Sequence, residues 1–405
     1  MPLQMHVNPA RKARGQGADL RAFSVEHAQT VRRFHQTFRE YAPTPLHDLR
    51  GLARHWGLKS LLVKDESFRF GLNAFKVLGG SYALGRCLAQ RADLPLSRLS
   101  RDALCSPALR ARTGPLVFTT ATDGNHGRGI AWTAQQLGQQ AIVHMPKGSA
   151  QSRVDAIRAH GAQCAVTEHN YDDTVRMTWE QARLHGRIMV QDTAWEGYTD
   201  IPLWIMEGYM TLALEALEQS RARDVLPTHV FLQAGVGSFA AATLGFLSAA
   251  LGPQAPAFII VEPHKAHCIY ASAVAGDGKP HAVAGDLDTL MAGLACGEPN
   301  TLSWPLLRDY ATAYISCSDA LAANGMRILA APLPGDAPVI SGESGAVGMG
   351  VVHRLMTHPA AKAQRDALGL GPASTVLLCS TEGDTAPDVW RDIVWQGAYP
   401  GPDMT

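Results

Sequence analysis

Lys76 stands between Phe75 and Val77 at the opening of an apolar helical pattern, with glycines at 71, 79 and 80 around it. An amine held among apolar groups loses charge readily, because burial disfavours the ammonium. A neutral amine is what Schiff-base chemistry requires. The plainer alternative is a lysine that lays its stem along a half-buried helix and keeps its head in water. Glycines that let other backbone approach weigh against it. A second polar knot runs Thr119-Thr-Ala-Thr-Asp123-Gly124-Asn125-His126-Gly127, after an apolar strand and before a helix. The N–H groups of such a turn are free donors and favour a negative group. Asp123 alone reads as an N-cap. With Asn125 and His126 between two glycines, it falls where open α/β sheets bind ligands.

The third stretch is Gln233-Ala-Gly235-Val236-Gly237-Ser238-Phe239-Ala240. Its backbone amides can cradle a phosphate at the start of the following helix. The same run mimics a dinucleotide fingerprint, Gly235-x-Gly237-x-x-Ala240, with Glu262 ending the next strand. A nucleotide-binding dehydrogenase is therefore a rival reading, though it leaves the lysine stretch and the Asp-Gly-Asn-His turn unexplained. Asp192, Glu343 and the run Ser380 to Thr385 lie in polar turns after apolar sequence, and each in isolation reads as a surface turn or cap. The histidines form no His-x-x-x-His pair and the cysteines no Cys-x-x-Cys pair, so no metal site is expected.

These stretches need a scaffold. Leu116 to Thr120, Gln140 to Met145, Gln163 to Val166 and Arg187 to Val190 read as strands, separated by helices at 125–137, 151–160 and 171–185. Such alternation predicts βαβ units and a parallel sheet. His229 to Leu232, Ala257 to Val261, Ala373 to Cys379 and Leu58 to Val63 read as further strands, and Ala74 to Ala89 as a helix. The expected fold is α/β, two lobes of parallel or mostly parallel sheets flanked by helices. Residues 89–205 form a small lobe inserted into a large one made of 1–88 and 206–405. With 405 residues, 46% hydrophobic and 18% charged, the chain can bury a large core. Lys plus Arg and Asp plus Glu each number 36, a neutral balance without the basic footprint of a nucleic-acid binder. Seven scattered cysteines point to a reducing, cytoplasmic setting. The longest charge-free stretch, Val225 to Val261, is broken by Pro227, Gly235, Gly237, Gly252 and Pro253, so no membrane span is expected.

Together the stretches resemble the fold-type II pyridoxal-phosphate enzymes, whose lysine motif, Gly-Asn-His turn and phosphate loop are similar to Ala74-Phe75-Lys76, Gly124-Asn125-His126 and Gly235-Val236-Gly237-Ser238. The likeness runs from about Thr44 to Thr385. Within that group, Lys64-Asp-Glu-Ser with Arg69-Phe-Gly-Leu-Asn-Ala-Phe-Lys76, Thr122-Asp-Gly-Asn-His-Gly, and Gln191-Asp-Thr-Ala-Trp-Glu-Gly-Tyr198 resemble the diaminopropionate ammonia-lyase family. Asp123, where most fold-type II enzymes have Ser or Ala, is the discriminating position. The resemblance implies pyridoxal 5'-phosphate held by Lys76 through a Schiff base, with Phe75 beside it. It implies a phosphate on Gly235 to Ser238, Asn125 on the ring's 3′ oxygen, and Ser380 or Thr381 facing the pyridine nitrogen. Catalysis falls to Lys76 and Asp123, with Asp192 a second carboxylate for a small cationic amino acid. Asp123 either takes the proton of the other enantiomer or pairs with the β-ammonium. The reaction implied is loss of ammonia from 2,3-diaminopropionate, by a homodimer; serine or threonine dehydration is the alternative. Whether Cys268 and Cys296 pair is left open.

Overall fold

A computed structural model describes residues 3–13 and 15–400. Among the described residues, eleven strands fall into two sheets. The larger is built from β1 (Leu3–Val7), β2 (Leu46–Asp48), β3 (Ser60–Asp65), β8 (His229–Gln233), β9 (Ala257–Pro263), β10 (Ala313–Cys317) and β11 (Thr375–Ser380), in the order β1-β10-β9-β8-β11-β3-β2. Its five central strands are parallel, while β1 and β2 pair antiparallel at the edges. The smaller sheet is wholly parallel: β4 (Val117–Ala121), β5 (Gln140–Met145), β6 (Gln163–Val166) and β7 (Ile188–Met189), ordered β6-β5-β4-β7. All four of its strands lie in the chain between β3 and β8.

Burial explains the strand composition. Strands β3, β8, β10 and β11 are buried at every residue, because helices cover both faces of the large sheet. Side chains alternate between two cores: Phe258, Ile260 and Leu377 enter one, and Ile259, Val261 and Leu378 the other. The charge-free stretch resolves into β8, the glycine turn, the helix Ser238–Leu251 and β9, and no described helix is long and apolar enough to cross a membrane.

The elements that aim the site are two helices, Val77–Arg91 and Asp200–Arg221. They touch backbone to backbone. A methyl at Gly208 would lie 2.4 Å from the Leu78 carbonyl oxygen and 2.7 Å from Gly79 Cα. The glycine flanking Lys76 therefore serves close helix packing. Gly208→Ala is expected to cost about 1–3 kcal/mol, as overpacking of a tight core does, read as a lower denaturation midpoint. The first helix begins at Val77 rather than Ala74, because Phe75 N–H donates to Thr381 O (3.0 Å) and Ala74 bridges to Glu382. Tertiary pairing thus overrides a good local helix pattern.

Candidate active site

Strand β3 ends at Asp65, and a kinked turn carries the chain to Lys76. Three residues of that turn have left-handed backbone: Phe70 (φ 50), Gly71 (φ 69) and Asn73 (φ 59). Two of them are not glycine, a strain typical of functional segments. A buried ion network holds the turn. Arg69 donates to Glu66 (2.8 Å) and to both oxygens of Glu215 (2.9 and 2.8 Å), and Lys64 Nζ donates to Glu215 (2.8 Å) and to the Thr44 carbonyl (2.7 Å). Burial would raise the Glu215 pKa, but Arg69 and then Lys64 outweigh it and hold it at about 2. Lys64 and Arg69, part of the family-like stretch, are thus scaffold for Lys76.

Lys76 Nζ lies 2.7 Å from Asp192 Oδ2. Sequence reasoning expects burial to discharge this amine, and the structure reverses the sign. Burial does push its pKa down, yet Asp192, Tyr209 and Asp123 together raise it well above its ordinary value. Asp192 is itself buried, which alone would raise its pKa; Lys76 and then His126 bring it to about 2. The turn bearing Asp192, expected to be superficial, is anchored. Its carbonyl accepts from Ser238 Oγ (2.5 Å), which in turn accepts from Asn300 Nδ2 (2.7 Å). His126 Nε2 meets the Val190 carbonyl at 2.8 Å and ties the Asn125 turn to the same segment.

Beyond Lys76 lies a cleft floored by the glycine loop. Among the described residues, the N–H groups of Gly235, Val236 and Gly237 have no hydrogen-bond partner, and the helix Ser238–Leu251 points its N-terminus the same way. A methyl at Gly235 would come within 3.1 Å of Cys296 Sγ, so the loop is closely walled. Thr381 Oγ1 lines the cleft and accepts from Gln233 Nε2 (2.8 Å). Ser380 does not line it, and its hydroxyl bonds Ser341 Oγ (2.8 Å). Asn125 Nδ2 donates to Glu382 at the cleft wall, and Phe75 packs on Tyr209 with ring centroids 4.7 Å apart. The buried hydroxyls of Tyr209 and Ser344 also line this cleft and have no partner among the described residues. An aldehyde for the amine and a phosphate for the bare N–H groups would satisfy such a site, so these residues fit pyridoxal phosphate.

Asp123 lies half-buried between this cleft and a second one of about 680 Å³ and, among the described residues, makes no side-chain hydrogen bond. It does not cap the helix; Thr122 Oγ1 does that work, accepting from Gly124 N (2.9 Å) and Gly127 N (3.0 Å). Glu343, expected in a surface turn, begins the helix Glu343–Thr357 and pairs with Arg153 at 3.0 Å; burial and then Glu382 raise its pKa to about 7. Glu262 accepts from Ile269 N (2.9 Å) and Tyr270 N (2.7 Å), fully buried, so it caps a helix instead of meeting a ribose. Cys268 and Cys296 are free thiols. Sequence reasoning missed Asn300 and Tyr209, and gave no role to Gln233 of the glycine stretch, to Ser344 or to Glu382. The last two stand in polar turns it noticed, whereas Tyr209 reads as core and Asn300 lies in an unpatterned loop.

A lysine paired with a carboxylate above a bare N–H loop, at the ends of parallel strands, defines a pyridoxal-phosphate dependent enzyme, and the family of that description matches residues 37–370. The chain is 52% identical over 397 residues to diaminopropionate ammonia-lyase of Salmonella typhimurium, covering 98% of each. It superposes on the holo diaminopropionate ammonia-lyase of Escherichia coli with a TM-score of 0.92 at 52% identity, covering 98% of this chain and 97% of that one. The same enzyme in complex with an aminoacrylate-PLP azomethine reaction intermediate matches with a TM-score of 0.90 at 51% identity, covering 98% of each. The chain belongs to the diaminopropionate ammonia-lyase family.

Proposed function

We propose that this chain eliminates ammonia from 2,3-diaminopropionate, yielding pyruvate and two ammonia. The observation that carries the reading is Lys76 held 2.7 Å from Asp192 beside the bare N–H groups of Gly235 to Gly237, in a chain similar to such enzymes throughout. When bound, pyridoxal phosphate supplies an electron sink for the substrate's Cα. Lys76 would hold its aldehyde carbon and the 235–238 loop its phosphate. Asn125 would meet its 3′ oxygen, with Phe75 alongside. Thr381, rather than Ser380, would face the ring nitrogen. Its oxygen already accepts from Gln233, which leaves its proton to donate. A neutral hydroxyl there restrains the sink and suits elimination better than transamination.

Freed as a neutral amine, Lys76 Nζ takes the Cα proton on its face of the substrate, with Asp192 holding the resulting ammonium. Asp123 takes the proton of the opposite enantiomer. The β-amino group departs as ammonia, and the released enamine hydrolyses in water to pyruvate and the second ammonia. Incubation with diaminopropionate and with serine, followed by pyruvate, tests the reading: faster release from serine would replace it with a dehydratase. Asp123→Asn is expected to slow one enantiomer of diaminopropionate about 10²-fold or more and the other less than about tenfold. Equal losses would remove the two-face assignment and leave the reaction class standing.

The lobes are proposed to divide as 1–88 with 206–405 and 89–205, which the insertion of the four-stranded sheet between β3 and β8 supports. A cytoplasmic homodimer is the proposed setting, supported for the compartment by seven unpaired cysteines and checked for assembly by light scattering.

A further inference from the structure

Ser344 has a hydroxyl with nothing to bond. The residue is 4% exposed, and no described group donates to its Oγ or accepts from it. Its backbone N–H donates to Glu382 Oε1 at 3.1 Å, which fixes Ser344 in the first turn of the helix Glu343–Thr357, and the side chain lines the Lys76 cleft. Opposite stands Gly293. A methyl there would lie 3.0 Å from Ser344 Oγ and 3.6 Å from Asp123 Oδ2. Gly293 therefore leaves a gap between an unbonded hydroxyl and a carboxylate that also accepts no hydrogen bond from the described residues. A buried polar group in that state is normally met by a partner.

We infer that this gap is the subsite for the substrate's β-ammonium, with Ser344 as its specificity-determining hydroxyl; the inference rests on the ammonia-lyase reading. An ammonium brings three N–H donors and a positive charge, and the gap offers the lone pairs of Ser344 Oγ and the carboxylate of Asp123. The chemistry of departure agrees. A β-ammonium leaves when its C–N bond breaks and the bonding pair goes to nitrogen, giving neutral ammonia with no added proton. A β-hydroxyl must be given a proton as its C–O bond breaks, and the gap supplies acceptors and no strong acid. The subsite thus favours an amine over an alcohol as the leaving group. Gly293 is required because any side chain would fill the space that the ammonium occupies.

Calorimetric titration of the holoenzyme tests this without turnover. 3-Aminopropionate carries the carboxylate and the β-ammonium but no α-amino group, and propionate lacks the ammonium. The wild type is expected to bind 3-aminopropionate about tenfold or more tighter than propionate, a preference that Ser344→Ala and Gly293→Ala each reduce about tenfold, in line with one hydrogen bond to a charged group. KM for diaminopropionate should rise by a similar factor in both variants, while in Ser344→Ala kcat/KM for serine should change less than about threefold. Cofactor absorbance should stay at the wild-type level in both variants. An unchanged preference would overturn the inference. So would loss of cofactor absorbance in Ser344→Ala, because the hydroxyl would then belong to the cofactor. If the wild type releases no pyruvate from diaminopropionate, the reaction reading fails; if it does and the preference persists in both variants, only the subsite fails.

Discussion

Lys76→Ala is expected to purify without a visible absorbance band, to show nothing that borohydride bleaches, and to lose about 10⁴-fold or more in turnover. A positioned base alone supplies about 10² to 10⁴, and here the same amine also holds the cofactor's carbonyl carbon. The substitution leaves Asp192 buried and unpaired, and breaking such a pair costs about 3–5 kcal/mol. Inactivity of the alanine variant could therefore reflect damage to the fold. Lys76→Arg separates the two effects. Its guanidinium keeps a cation beside Asp192, 2.7 Å away in the native pair, but stays protonated and cannot condense with an aldehyde. The arginine variant should unfold near the wild-type midpoint of the cofactor-free protein and still be colourless. A borohydride-sensitive band in either variant would show that another amine holds the cofactor.

What local sequence could reveal follows the range of the interactions. Strands β5 and β6 and the helix Tyr171–His185 match their expected ends, because alternation and turn residues within a few positions decide them. Strand β1 has no such local mark. It pairs Leu3 with Cys317 and Val7 with Ala313, and only that distant partner makes it a strand. The helix Asp200–Arg221 is buried on nearly every side, so it lacks the polar face that marks a helical period, and Tyr209 within it reads as filler. The site shows the same division. Lys76, Asn125 and the Gly235 loop are legible because each sits in a turn whose glycines demand an explanation. The charge state of Lys76 is not legible, because the carboxylate that reverses it is 116 positions away. Ser238 reads as a phosphate ligand from its loop, yet its hydroxyl is donated to the Asp192 carbonyl; the chain pattern shows the loop but not that tie.

Asp192→Asn should lower kcat by about 10² to 10⁴, the range of a positioned acid–base group, on both enantiomers of diaminopropionate. Asp192 acts through Lys76, and both enantiomers depend on that amine to hold the cofactor; Asp123 is the group that should separate them. The amide keeps the shape of the side chain and the carbonyl tie to Ser238, so the loss would come from charge. Without the carboxylate, the Lys76 amine loses the largest charge that opposes burial and its pKa falls, so the pH at which activity appears should move down in the variant. A second readout follows from the carboxyl itself. Its folded pKa is about 2 against an ordinary 3.8, and a group depressed on folding stabilises the protein above its unfolded pKa and loses that contribution as pH falls through the folded one. Cofactor-free wild type should therefore lose stability between about pH 4 and pH 2, and Asp192→Asn should show a shallower decline over that interval. A variant with wild-type kcat and an unshifted profile would reduce Asp192 to a counter-ion that can be dispensed with. Loss confined to one enantiomer would instead make it a base in its own right, acting on the face here assigned to Lys76.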